Sequence, residues 1–201
     1  MKYPNPPRFT ALAGLVLLAG LAVAPDPARA GDSGKPTVSD LTIKIEGEST
    51  LHAWEVSSAS ADLNADVGSS GGLADALAHH GLKRLDLALS VASLKSTEGT
   101  GMDKNMDAAL ESDKFPKIQF HMKSYSMDGG TVTAQGDLSI HGQSKAVTLT
   151  GLVTEKGNKV AVKGVYTLDM SDYGIKPPVM MFGTIKTADP VKIFFGFKLA
   201  E

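Results

Sequence analysis

The sequence predicts an all-β protein with a single antiparallel β-barrel of about eight strands and one or two short helices. Apolar residues alternate with polar residues along most of the chain from Val38 onward, which is the spacing of strands that bury one face. Short glycine-containing segments separate successive runs at hairpin lengths. The chain contains no cysteine, so the domain has to fold without disulfides.

The N-terminus has the organisation of a secretory signal peptide. A positively charged start precedes an apolar run at positions 11–24, and residues 28–30 read Ala-Arg-Ala, a small-x-small cleavage pattern. We expect cleavage after Ala30, a barrel domain over residues 31–201, and a periplasmic or secreted product. A membrane anchor is the alternative, but a spanning helix needs about 20 apolar residues. Prolines at positions 25 and 27 end this run earlier, so we do not expect an integral membrane protein.

The charge balance argues against a nucleic-acid partner. The chain has 20 basic and 22 acidic residues, and the first 30 positions hold three of the former and one of the latter, so 17 and 21 remain. Proteins that bind a phosphate backbone concentrate Lys and Arg on one face, whereas this chain scatters them. We expect an apolar small-molecule partner, with the protein itself a monomer or a homodimer.

Seven alternating runs are predicted to be half-buried strands, at residues 41–45, 85–91, 118–122, 132–140, 147–153, 160–168 and 191–197. Turn segments at 128–130, 141–143 and 156–158 predict tight hairpins, which gives a meander in the C-terminal half. Residues 73–80 and 102–111 lack the alternation and contain good helix formers, so they are predicted to form short helices that cover an end or edge of the barrel.

A set of strands with one apolar face must close into a barrel or pair as a sandwich. We predict the barrel, because eight strands enclose enough room for side chains or for one ligand. Ala134, Gly136, Gly151 and Gly164 fall in phase with apolar neighbours. They either thin the wall and leave room for a guest, or serve as bulges and bends that curve the sheet.

No motif for catalysis or metal binding is present in the sequence. The histidines at 79, 80, 121 and 141 show no HxxH, HExxH or HxH spacing, no serine lies in a G-x-S-x-G elbow, and the glycine-rich segments lack the Lys-Ser/Thr of a P-loop. We therefore predict no metal, no cofactor and no enzymatic activity. Seven methionines between 102 and 181 suit irregular apolar contacts, although ordinary core and loop packing is the favoured explanation for any one of them.

Three segments resemble the YceI-like family of polyisoprenoid-binding proteins. Residues 136–147 read GDLSIHGQSKAV, which is similar to the family signature G-x-L-T-I-H-G-x-T-K-x-V. Residues 113–120 read DKFPKIQF, and residues 172–175 read DYGI in place of the family's D-F-G-I turn. The three segments occur in the family's order. The chain departs from the family at Met170, where many members carry Arg, and in the Lys-Pro-Pro extension at 176–178.

The resemblance implies a lipocalin-like barrel, usually periplasmic, whose apolar tunnel holds an isoprenoid chain such as a polyprenyl or quinone tail. The strand phase separately predicts which side chains face one shared interior and would contact such a ligand: Leu87, Leu89, Phe120, Leu138, Leu149, Tyr166, Leu168, Phe195 and Phe197. The polar end of the ligand would lie at a barrel mouth, where His52, Trp54 and Lys145 are candidates by residue type.

Two other function classes remain open from the sequence. The barrel interior could be filled by its own side chains in a periplasmic stress or interaction protein without a lipid. An enzyme of lipid or cofactor metabolism would require an acid or base with a perturbed pKa inside the cavity.

Overall fold

A computed structural model describes residues 35–68 and 72–201. The predicted signal peptide lies outside these residues. Within them, eleven strands form: β1 (Thr37–Ser49), β2 (Trp54–Ser58), β3 (Ala61–Val67), β4 (Leu82–Ser90), β5 (Lys95–Ser96), β6 (Lys117–Asp128), β7 (Thr131–Ile140), β8 (Gln143–Lys156), β9 (Lys159–Asp169), β10 (Val179–Met180) and β11 (Ile185–Ala200). The helices are α1 (Leu73–Ala78) and α2 (Thr100–Ala109), and single 3-10 turns span Val91–Ser93, Met170–Tyr173 and Met181–Gly183.

The strands pair antiparallel in the order β3-β4-β6-β7-β8-β9-β11-β1-β2-β5, and β10 pairs with β11. This continuous sheet curls around one interior, so the predicted all-β antiparallel class is confirmed. The first and last long strands, β1 and β11, lie side by side, with Thr37 opposite Ala200 and Ser49 opposite Thr187. The first and last long strands of the described domain are therefore neighbours in the sheet.

The number of strands differs from the predicted eight. The seven predicted runs lie in β1, β4, β6, β7, β8, β9 and β11, and the three predicted hairpins join β6 to β7, β7 to β8 and β8 to β9. The additional strands are β2, β3, β5 and β10, of which two contain only two residues. Such short strands give no alternation to detect, because a period of two needs several residues to become visible.

Alternation along the strands sets the inner and outer faces of the sheet. In β9, Val160, Val162 and Leu168 are buried, whereas Lys163 and Thr167 between them are exposed. The inner face of the curled sheet therefore carries the apolar set that the sequence pattern predicts.

The two helices lie at different ends of the curled sheet. The Tyr125 hydroxyl lies 3.0 Å from the carbonyl oxygen of Leu77 in α1, and it accepts a hydrogen bond from the Leu82 amide at 3.2 Å. The Leu73 amide at the start of α1 donates to the carboxylate of Glu201 at 2.6 Å. At the other end, α2 contacts β10, where the Asn105 amide nitrogen lies 3.0 Å from the Met180 sulfur.

Two of the in-phase glycines are covered by aromatic rings. A Cβ atom at Gly136 would lie 2.3 Å from the His121 carbonyl oxygen and 2.8 Å from the ring of Phe120. A Cβ atom at Gly164 would lie 2.3 Å from the ring of Phe195. These positions therefore receive the rings of Phe120 and Phe195, and Gly136 lies opposite Met122, next to the register shift of β6 between Met122 and Ser124.

Candidate ligand-binding cavity

The curled sheet and its two helices enclose an apolar cavity with a volume of about 230 Å³. Its wall includes residues from every long strand and from both helices, such as Ile43 of β1, Leu77 of α1 and Met106 of α2. The volume lies below the roughly 300–1,000 Å³ of sites for drug-sized ligands. The cavity is therefore narrow for the number of strands that surround it.

All nine residues that the strand phase places in the interior lie in the cavity wall: Leu87, Leu89, Phe120, Leu138, Leu149, Tyr166, Leu168, Phe195 and Phe197. Their contact with a ligand stays a prediction. Helix α2 contributes Met102, Met106 and Ala109 to the wall, and Leu110 follows directly after it; sequence reasoning did not place Ala109 and Leu110 in the interior. The small residues Ala134 and Gly151 lie in the wall too, and a Cβ atom at Gly151 would lie 3.0 Å from the side chain of Val162.

Methionines form a large share of the wall. Six of the seven singled out from the sequence line the cavity: Met102, Met106, Met122, Met127, Met170 and Met180. The seventh, Met181, is exposed. Because a thioether side chain has three rotatable bonds and a polarisable sulfur, such a wall can adapt its shape to a flexible apolar guest.

Over residues 35–68 and 72–201, no charged side chain lines the cavity wall. Its polar groups are the indole of Trp54, the amide of Asn105, the phenol of Tyr166 and the hydroxyl of Thr187. The Trp54 Nε1 atom is buried and has no hydrogen-bond partner among the residues that the structure describes. The wall therefore offers a few hydrogen bonds and no ionised group to a guest.

An apolar rim surrounds the end of the cavity near β10. Pro178 and Met180 line the cavity, while Val179, Met181 and Phe182 in the same segment are exposed. The β1–β2 loop packs beside this segment, where the Thr50 amide donates to the Lys186 carbonyl at 3.0 Å. Apolar surface thus continues from the interior to the outside of the molecule at this end.

The three family-like segments converge at this same end of the barrel. His141, in the β7–β8 turn, lies edge-on to the ring of Phe115 with centroids 4.7 Å apart. The His141 Nδ1 atom lies 3.2 Å from the carbonyl oxygen of Tyr173. The backbone of His141 and Gly142 adopts positive φ angles of 51° and 73°, which turns the imidazole inward. One residue from each segment therefore contributes to a single cluster, in which Tyr173 is buried and Phe115 and His141 are half-buried.

A second contact joins the first and third segments. The Lys145 ammonium donates to the carboxylate of Asp172 at 2.9 Å and lies 5.6 Å above the ring of Tyr173. Lys145 is opposite Leu138 in the β7–β8 ladder, so it shares the inward face of Leu138. Of the three residues suggested for a polar end, Lys145 and Trp54 lie on this inward side. His52 is exposed and bonds the neighbouring Ala53 carbonyl at 2.7 Å.

The histidines do not assemble with other possible metal ligands. Over residues 35–68 and 72–201, no group of three or more His, Asp or Glu side chains is placed to hold a metal ion. His121 bonds Asp86, and His79 follows α1 as its C-cap residue. Over the same described ranges, no helix is long and apolar enough to cross a membrane.

Comparisons with known proteins agree with this architecture. A structure of BcnA from Burkholderia cenocepacia superposes with a TM-score of 0.62 at 16% identity, over 79% of this chain and 95% of BcnA. A polyisoprenoid-binding domain from Saccharophagus degradans gives a TM-score of 0.58 at 12% identity, over 83% and 97% of the two chains. The YceI protein of Campylobacter jejuni gives 0.54 at 19% identity, over 71% and 81%.

These structural likenesses show the fold, and a search of the curated proteins finds no match. The family model described as the YceI-like domain matches residues 35–199. That match covers almost all of the barrel domain, and the chain therefore belongs to the YceI-like family.

Proposed function

We propose that this chain is an exported carrier or storage protein that holds an elongated isoprenoid-type lipid, such as a polyprenyl or quinone tail, in its cavity. The observation that carries the proposal is the chemistry of the wall, which is apolar along its length and has no charged side chain. The similarity to a domain described as polyisoprenoid-binding supports the same ligand class.

An apolar chain is the guest that this wall stabilises best. Each buried methylene contributes roughly 0.8 kcal/mol, so affinity accumulates along a tail without polar chemistry. The small volume favours a slender chain over a bulky ring system. Selectivity then comes from the length and shape of the cavity, and the methionines of the wall accommodate the bends of the chain.

We also propose that the protein is not an enzyme. General acid–base catalysis requires a titratable side chain within hydrogen-bond reach of the reacting group. Among the described residues that line the cavity, the only titratable side chain is the phenol of Tyr166. A carrier protein needs no titratable side chain in its cavity.

Export rests on the N-terminal sequence, and it predicts that the mature protein begins at Gly31. The intact mass of protein recovered from the periplasmic fraction tests this directly. A chain that keeps residues 1–30 and sediments with membranes would support the anchor alternative instead.

Binding can be tested with the single tryptophan, because Trp54 lies in the cavity wall. A quinone with an isoprenoid tail should quench its fluorescence in a saturable titration, and a polyprenol should compete with the quinone and restore the signal. A titration that shows neither saturable quenching nor competition, on delipidated and folded protein, would favour a barrel filled by its own side chains.

A further inference from the structure

A hairpin formed by β10 and the start of β11 carries the apolar surface of the cavity to the outside of the barrel. Val179 lies opposite Lys186 in this hairpin, and residues 181–184 form its tip. Met180 lines the cavity, so its neighbour Val179 lies on the outward face together with Lys186. Phe182 at the tip is fully exposed. The hairpin is therefore apolar on its inner face, on part of its outer face and at its tip.

Hydrogen bonds fix the hairpin against the β1–β2 loop. The Thr50 hydroxyl donates to the Thr184 carbonyl oxygen at 3.0 Å and accepts from the Lys186 amide at 3.1 Å. Leu51, which follows Thr50, is 65% exposed. The loop thus adds an apolar side chain to those of the hairpin, and together they form the exposed rim, which consists of Leu51, Val179, Met181 and Phe182.

The two residues at the tip have an unusual backbone conformation. Met181 and Phe182 both adopt left-handed conformations, with φ angles of 50° and 54°. Bulky side chains rarely do so, because their Cβ atom approaches the following carbonyl oxygen. Packing inside the barrel does not offset this cost, since both side chains are exposed. A strained turn that presents two large apolar side chains to solvent indicates a surface that a partner covers.

The charges of the hairpin indicate the kind of partner. Residues 173–188 contain Lys176 and Lys186 and no acidic residue, although the whole chain has more acidic than basic residues. Both lysines are exposed, and neither forms an ion pair with a residue that the structure describes. The flanking Asp172 and Asp189 accept hydrogen bonds from other residues. Two available cations beside an apolar tip complement a lipid bilayer, which is anionic at its surface and apolar beneath it.

The size and shape of the exposed rim favour a bilayer over a second protein chain. Four exposed side chains of these types present roughly 600 Å² at most, whereas a standard stable protein interface buries about 800 Å² on each partner. A protruding tip also requires a matching pocket on a rigid partner. A fluid bilayer closes around such a tip without one.

We propose that the exposed rim docks this protein on a lipid bilayer with anionic headgroups, with the tip of the hairpin among the upper acyl chains and Lys176 and Lys186 beside the lipid phosphates. In this orientation the rim end of the cavity faces the acyl chains. An apolar tail can therefore pass between bilayer and barrel without crossing water. Docking itself needs no ligand in the cavity, whereas this loading role rests on the proposed function.

Co-sedimentation with vesicles tests the docking surface. Vesicles of phosphatidylcholine alone are compared with vesicles of phosphatidylcholine mixed with phosphatidylglycerol. We expect the wild-type protein to bind the anionic vesicles more tightly than the neutral ones, and to release from them as the salt concentration rises.

Two double variants separate the apolar and the charged contributions. Met181→Asn combined with Phe182→Asn should weaken binding to both kinds of vesicle by about 10-fold or more, because the tip loses its apolar area. Asparagine tolerates left-handed conformations, so this variant should keep the shape of the tip. Lys176→Gln combined with Lys186→Gln should weaken binding to the anionic vesicles by about 5-fold for each lysine and leave binding to the neutral vesicles unchanged.

The matched control lies on the outer face of β8 and β9. Leu152 is 66% exposed and lies opposite the exposed Lys163, as Val179 lies opposite Lys186. Leu152→Asn combined with Lys163→Gln should leave the affinity for both kinds of vesicle unchanged. All three double variants alter exposed side chains, so their urea unfolding midpoints should stay close to that of the wild type.

The outcomes separate the docking surface from the proposed function. Quenching of Trp54 by a quinone without vesicles measures tail binding, which the rim variants should retain. A wild type that binds the quinone but no anionic vesicles overturns the docking surface and leaves the carrier function standing. A wild type that binds vesicles through the rim but binds no quinone supports the docking surface and overturns the proposed function.

Two further results would also overturn the docking surface. The first is vesicle binding that the tip variant retains or that the Leu152 control loses to the same extent. The second is a wild-type dimer in analytical ultracentrifugation that the tip variant converts to a monomer, because the exposed rim would then bind a second copy of the chain.

Discussion

The Nδ1 atom of His141 lies 3.2 Å from the carbonyl oxygen of Tyr173, which joins the turn between β7 and β8 to the turn after β9. The imidazole also packs against Phe115 on the segment that enters β6. One half-buried histidine thus connects three loops that are distant in sequence. The YceI-like segments therefore have a structural role at the end of the barrel, in addition to any contact with a ligand.

Replacement of His141 by alanine should destabilise the domain by about 2 kcal/mol. The variant loses an aromatic pair, worth roughly 0.5–1.5 kcal/mol, and a hydrogen bond to a backbone carbonyl, worth about 1 kcal/mol. Urea unfolding measures the change. His52→Ala is the control, because that imidazole is exposed, and it should change the free energy of unfolding by less than about 0.5 kcal/mol. Equal effects of the two substitutions would contradict the stabilising role of the His141 contacts.

Gly164→Ala should be strongly destabilising although it adds one methyl group. The new Cβ would lie 2.3 Å from both the Phe195 ring and the Thr150 carbonyl oxygen. Because one of these atoms belongs to the backbone of β8, the strand itself has to move, and we expect a cost of roughly 2–4 kcal/mol. Gly101→Ala in α2 is the control, since no heavy atom lies within 4 Å of its Cβ position. A neutral Gly164→Ala would show that the ring does not pack on this glycine.

Ala134→Phe should shorten the longest chain that the protein accepts. Ala134 lies in the cavity wall on β7, opposite Leu149 of β8, so a phenyl ring there occupies interior space. A series of polyprenols from two to eight isoprene units, compared by competition, would reveal the limit. We expect the variant to keep its affinity for the short members and to lose the long ones. The exposed residue Gln135 provides the control, and Gln135→Phe should leave the length limit unchanged.

The stability of the domain should fall in acid partly through Asp86. Burial raises the pKa of this carboxyl, but hydrogen bonds and charges from His121 and Arg84 outweigh that effect and hold the pKa below its usual 3.8. A carboxyl with a lowered folded-state pKa stabilises the fold above its unfolded pKa, near 3.9, and this contribution disappears as the pH falls through the folded value.

Asp86→Asn should therefore cost less than about 1 kcal/mol at pH 6 and flatten the loss of stability below pH 4. Urea unfolding at pH 6, 4 and 2.5 provides the comparison. His121→Ala removes one partner of the Asp86 carboxylate. It should therefore also reduce the loss of unfolding free energy below pH 4, but by a smaller amount than Asp86→Asn. Parallel curves for the wild type and Asp86→Asn would contradict the role of this carboxyl.

The sequence pattern was sufficient for the long strands and for the inner face of the barrel. Alternation identifies which side chains share a face, so Leu149 and Tyr166 could be placed in the interior before the structure was known. It does not reveal whether that interior is filled or open, because the free volume depends on how side chains from all the strands pack together. The rings of Phe120 and Phe195 fill the space above Gly136 and Gly164, a packing relation that no local pattern encodes.

The polar cleft beside β8 and β9 could not be predicted from the sequence for a related reason. Lys145, Tyr166 and Tyr173 line one cleft beside the parts of β8 and β9 that lie beyond the Gly151–Gly164 pair. The alternation continues through both strands without interruption, so the sequence shows no sign of the cleft. The segments at 136–147 and 172–175 were recognisable by their resemblance to the family, but their contact with each other is a property of the tertiary fold.

Native mass spectrometry of the purified protein tests the central claim most directly, with Leu149→Lys and Thr148→Lys as a matched pair. Leu149 lines the cavity, whereas its neighbour Thr148 is exposed on the outer face of β8. An unpaired charge in the apolar wall costs several kcal/mol, so the inner lysine should abolish lipid binding while the outer one leaves it intact. Circular dichroism establishes that both variants are folded. We expect that the wild type and Thr148→Lys each carry one lipid whose mass fits an isoprenoid chain, and that folded Leu149→Lys carries none. Folded wild-type protein that carries no lipid and takes up none from added polyprenol or quinone would contradict it.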